Sequence, residues 1–146
     1  MHPVDLVDFI VTGSFGSLRP GVGYQDVIDE LGAPEHEEPA RRSSPMYLLY
    51  GDVEVRLRSL RVVLVAVTLS MEDDPASFDS SGIEFTRMLP MAKRTVEAVG
   101  GLLRESGVGW DVDPIMSDGD SPVWVTRRRV HLGFFSGLLQ RIGAEY

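Results

Sequence analysis

Cysteine is absent from this chain. Its absence excludes disulfides, thiolate metal sites and one class of nucleophile, and it fits a reducing, cytoplasmic setting. Aromatic residues are scarce, at 8%. No uninterrupted apolar run approaches the ~20 residues that span a bilayer, so no membrane partner is expected. Positive charge is also short: 14 Lys and Arg stand against 22 Asp and Glu, for a net charge of −8. Such a balance gives no general affinity for phosphate backbones, and nucleic acid is not an expected partner. The first residues, MHPVDLVDFIVTG, hold acids where a secretory signal needs a basic segment, so no signal is expected.

What is present suits a soluble domain. The 146 residues fit a single α+β domain over 1–146, with possible halves at 1–70 and 83–146. A chain of this length buries roughly 68–70% of its unfolded surface and needs no covalent staples.

Residues 3–11, PVDLVDFIV, place Val4, Leu6, Val7, Ile10 and Val11 on one side at helical spacing, with Pro3 in the first turn. A second helix is expected over 23–31. It opens near Gly23, carries Asp26 in its first turn, and is closed by Gly32 and Pro34. The polar, Pro-bounded segment 35–45 reads as a loop. Strands follow at 46–50, 53–58 and 61–70. In VEVRLR, Val53, Val55 and Leu57 alternate with Glu54, Arg56 and Arg58, so one face is buried and one is wet. In VVLVAVTLS the alternation disappears, as in a central strand covered on both faces.

The acidic segment 71–82 reads as a linker between halves. Beyond it, apolar spacing predicts a helix over roughly 86–105, with Pro90 marking a first turn rather than an interior kink and residues 84–88 open to being a separate turn. A three-strand meander is expected at 110–115, 121–127 and 129–135, followed by a closing turn, SGLLQRIG. Each half thus runs from helix to three strands. Helices packed on an antiparallel sheet, in two αβββ-like halves, is the fold this order implies.

Chemistry-bearing groups are sparse. His36 lies among Glu35, Glu37 and Glu38, but a continuous acidic loop does not converge its side chains on one ion. Asp111, Asp113, Asp118 and Asp120 lack the spacing and the closing Glu of a calcium loop, and Asp118-Gly119 reads as a turn. The glycines of GSFGSLRPGVG make no phosphate cradle: no Lys is nearby, and the stretch follows a helix. His131 with Ser136 and Asp111 or Asp113 is the one hydrolytic set to consider, and no G-x-S-x-G elbow accompanies it. No catalytic, cofactor-binding or metal-ligating residue is therefore assigned, and no cofactor is expected. Arg127, Arg128 and Arg129, with Arg41, Arg42, Arg56, Arg58 and Arg61, offer ion-pair partners. Trp110, Trp124 and Tyr47 suit either a groove or the core.

The carriers Gly13, Phe15, Gly16, Leu18, Gly21, Val27, Leu31, Gly32, Pro34, Tyr50, Gly51 and Glu54, with VGW at 108–110 and VTRRRVHLGF at 125–134, form a pattern over most of the chain. It resembles an uncharacterised bacterial family grouped with the immunity proteins of polymorphic toxin systems. The helix–LGxP–strand order is also similar to the α-α-β-β-β unit of outer-membrane assembly lipoproteins and of tandem-repeat β-lactamase inhibitor proteins, although the lipobox cysteine is missing here. The resemblance implies a non-enzymatic binding protein whose partner is another protein, such as a basic toxin domain. An acidic inhibitor is steered onto a basic surface. Glu35, Glu37, Glu38, Glu72, Asp73 and Asp74 are then the expected contacts. The competing expectation is a small hydrolase or metal-dependent enzyme using His131 with Asp111 or Asp113.

Overall fold

A computed structural model describes residues 2–19, 21–70 and 82–146. Helices pack against a large antiparallel sheet, so the α+β class is observed. The order is β1 (His2–Asp5), α1 (Leu6–Thr12), α2 (Tyr24–Leu31), β2 (His36–Glu38), β3 (Met46–Tyr50), β4 (Val53–Arg58) and β5 (Arg61–Thr68). After the linker come β6 (Ile83–Arg87), α3 (Val96–Glu105), β7 (Trp110–Val112), β8 (Val123–Thr126), β9 (Val130–Phe135) and β10 (Leu138–Glu145). Among the described residues, no helix is long and apolar enough to cross a membrane. The expected linker 71–82 lies, but for Gly82, outside the described residues.

Eight strands form one sheet in the order β2-β3-β4-β5-β10-β9-β8-β7, so the two halves meet where β5 pairs with β10. The halves repeat. Met46, Val53 and Arg61 open β3–β5, and Val123, Val130 and Leu138 open β8–β10, a constant offset of 77 (123 − 46, 130 − 53, 138 − 61). The irregularities repeat too. Val63 is skipped in the β4–β5 register and Gln140 in the β9–β10 register, at the same offset. Ser59-Leu60 and Ser136-Gly137 both turn through two positive-φ residues, the type I′ geometry that matches strand twist.

Five elements depart from the sequence expectation. The first helix begins at Leu6, not Pro3, because the Asp5 side chain accepts from Asp8 N and caps it; residues 2–5 pair in parallel with β6. The 35–45 loop contains β2, paired with β3. The expected helix over 86–105 is strand β6, then a 3-10 turn at Met91–Lys93 after Pro90, then α3 capped by the Thr95 hydroxyl. Pro90 and the pull of β1 as a strand partner outweigh the helical spacing of the flanking apolar residues. The closing turn is β10, an eight-residue central strand. The skipped Gln140 breaks its alternation, placing buried Leu139 and Ile142 three apart, which disguises a strand as irregular chain. The expected 110–115 strand also stops at Val112.

The core lies on one side of the sheet. Leu6, Phe9 and Ile10 of α1, Val27 and Leu31 of α2, and Val99 and Leu103 of α3 pack with Leu48, Tyr50, Val53, Val55, Leu57, Val65, Val67, Leu132 and Ile142. Strand β5 was expected to be covered on both faces. Val65 and Val67 face the helices, while Leu64 and Ala66 belong to the opposite face, where Leu64 is half-buried and Ala66 buried.

Candidate functional site

Directly paired residues of a sheet share a face. Following the register across the strands, His36, Leu49, Glu54, Ala66, Gly143, His131, Val125 and Asp111 form one row on the face away from the helices. A neighbouring row holds Glu38, Tyr47, Arg56, Leu64 and Glu145. The middle of the face is low because its residues are small: Ala66 pairs with Gly143, and these two are equivalent positions of the two halves (143 − 66 = 77). The side chains around them stand above this floor.

Two depressions result. One, of about 350 Å³, lies over Leu64, Gly133 and Gly143 and is walled by Arg56, Arg141, His131, Glu145, Val123 and Met116. The other, about 500 Å³, is bounded by Tyr47, Leu49, Glu54 and Thr68 and shares Arg56 and Arg141 with the first. The arginines between them are held in place. Glu54 accepts from Arg56 Nε at 3.1 Å through Oε1 and from Arg141 Nη2 at 3.2 Å through Oε2. Each guanidinium has five N–H donors, so both retain donors for a ligand. Beside them, His131 Nε2 sits 3.5 Å from Glu145 Oε1, too far for a good hydrogen bond, and this solvent-excluded nitrogen has no hydrogen-bond partner among the described residues. Charge on the floor balances: Arg56 and Arg141 against Glu54 and Glu145. The net −8 of the chain resides elsewhere.

The sequence candidates disperse. Asp111 belongs to the edge strand β7, where Arg127 holds its carboxylate. Strand β8 lies between it and His131, two strand spacings or roughly 10 Å of backbone away. Asp113 is spent on its own turn, accepting from Ile115 N and Met116 N at 2.9 and 3.2 Å. Ser136 is an exposed turn residue whose backbone N donates to Ser121. These residues do not converge into a hydrolytic site. Among the described residues, no group of three His, Asp or Glu side chains is placed to hold a metal ion.

The acidic segment 35–38 also splits. Glu38 pairs with His36 and Arg41 at 3.0 Å, on the open-face side. Glu37 turns toward the helices and takes a hydrogen bond from the Tyr24 hydroxyl; that bond, then partial burial, pushes the Tyr24 pKa up. Glu35 is exposed and donates its backbone N to Leu49 O at 2.8 Å. Glu72, Asp73 and Asp74 lie outside the described residues.

The face itself was half legible. Alternation in VEVRLR marks Glu54 and Arg56 as a pair on one side. Arg141, Gly143 and Glu145 carry no such mark, because the bulge at Gln140 breaks the alternation of β10, and no local signal places Ala66 opposite Gly143. No protein-family model, curated protein or solved structure matches the chain significantly.

Proposed function

We propose that the chain is a non-enzymatic binding module of the immunity or inhibitor type, and that the open sheet face docks another protein. One observation carries this reading: a broad antiparallel face left bare by the helices, with a low floor and a surface of Tyr47, Leu49, Leu64, Met116 and Val125 around two anchored arginines. Aromatic, Met and Arg side chains are the groups enriched in protein interfaces, while Lys is depleted. Salt-bridged arginines arrive already ordered, so less side-chain entropy is lost on docking. The acidic surface outside the floor suits a basic partner such as a toxin domain, steering encounter from a distance while the face supplies the contact.

The test is co-expression and purification with the products of neighbouring genes, comparing the natural chain with Tyr47→Asp and Val125→Asp. Binding should weaken about 100-fold, roughly 2.7 kcal/mol, with the melting temperature unchanged. A partner that binds both variants as tightly as the natural chain, or the absence of any protein partner, refutes the docking face.

A further inference from the structure

The two halves carry equivalent loops of opposite chemistry. Between β7 and β8, the Asp113 carboxylate and the Ser117 hydroxyl lock a tight turn: Val123 N donates to Ser117 Oγ at 2.9 Å and Ser117 N to Asp113 O at 3.1 Å. This turn holds Ile115 and Met116 out into solvent, 88% and 66% exposed. Two adjacent apolar side chains held out on an ordered turn make a contiguous patch of the kind that marks a contact site. Asp118 and Asp120 follow the knob closely in sequence, Asp111 before it is paired with Arg127, and no basic residue occurs between 111 and 122. Between β2 and β3, by contrast, reciprocal Arg41–Ser44 backbone bonds of 3.0 and 3.2 Å close a loop over a recess of about 210 Å³. Arg41, Arg42 and Arg58 rim it, with Pro45 and Leu57 among its lining. Arg41 is held by Glu38, while Arg42 and Arg58 form no ion pair among the described residues.

We propose that the Ile115–Met116 knob of one copy seats in the arginine-rimmed recess of a second copy. Apolar tip meets recess, and the carboxylates around the tip meet the arginines around the rim. Because the two surfaces differ, each copy offers one knob and one recess. Knob and recess lie at opposite edges of the eight-stranded sheet, beside β7 and β2, so the contact is heterologous and extends from copy to copy rather than closing at a dimer. It buries little area, which makes it weak and reversible. The knob shares Met116 with the rim of the sheet face, but the assembly does not require that face to have a partner of its own.

Sedimentation velocity of the full chain tests it, from about 10 μM to about 1 mM, the range where a small contact is half-formed. Salt of about 0.15 M shortens the Debye length to about 8 Å and screens the −8 charge of each copy. The mean mass should rise with concentration and pass the dimer. Ile115→Asp, which spoils the knob, and Arg42→Glu, which spoils the recess, should each sediment as a monomer with unchanged melting curves. Mixed together they retain one good knob and one good recess, and should form a 1:1 pair and nothing larger. A monomer at every concentration, a mass that stops at a symmetric dimer, association surviving in either variant, or a mixture that stays monomeric overturns the proposal.

Discussion

Replacing Tyr50 with phenylalanine separates two consequences of burying one hydroxyl. Tyr50 is fully buried on β3, and its hydroxyl donates to the carbonyl of Gly32 at the end of α2, at 2.9 Å. Burial, and then the negative charges of Tyr24 and Glu37, push its pKa up to about 12. In the unfolded chain the value is about 10. The folded state thus holds the proton more tightly, and this stability is fully present below pH ~10 and is lost as pH rises through ~12. Two units correspond to about 2.7 kcal/mol. At neutral pH, Tyr50→Phe removes only the hydrogen bond, and Gly32 lies where water replaces it, so the variant should be about 1 kcal/mol less stable. The variant lacks the titrating group. The difference between the two proteins should therefore shrink above pH ~10, cross zero near pH ~11, and favour the variant by about 1–2 kcal/mol at pH ~12. Tyr146, whose pKa is also raised, remains in both proteins and cancels; the coupling of Tyr50 to Tyr24 is lost with the hydroxyl and belongs to the difference. Urea midpoints followed by circular dichroism across this range measure it. A difference that stays constant with pH refutes the account of Tyr50.

Three further outcomes follow from local geometry. Gly101 sits inside α3 with nothing near the position of an added Cβ, so Gly101→Ala should stabilise by about 0.5–1 kcal/mol, seen as a higher melting temperature. Gly16 has φ +59°, and an added Cβ would stand 2.5 Å from His2 Nε2 and 2.6 Å from Pro3 O. Gly16→Ala should cost about 2 kcal/mol or more, read as a lowered urea midpoint, since both the positive φ and the crowding by backbone oppose it. Arg94 is buried, its Nε donating to Leu89 O at 2.7 Å and another guanidinium nitrogen donating to Ser70 O. Arg94→Met keeps apolar bulk but strands these carbonyls, and should cost about 2–4 kcal/mol in chemical unfolding.

Local chemistry in the sequence determined those elements whose instructions are written within a few residues. Gly23, Asp26, Gly32 and Pro34 delimit α2, and alternation in VEVRLR delimits β4 and assigns its wet face. Tertiary structure decided the rest. Residues 2–5 and 83–87 are extended because each is the other's partner, a pairing across 81 positions (83 − 2) that no local window contains. Strand β10 was hidden by the bulge at Gln140, whose extra residue flips the apolar period and only makes sense beside β9. The open face followed the same logic. His131 stands out in the sequence as a lone reactive group, but Arg56, Leu64 and Arg141, which line its depression, come from three strands in two halves. Composition and spacing set which side of each strand is apolar; only the register between strands, a sum of long-range hydrogen bonds and packing, set which small residues face one another and so where the sheet has a floor.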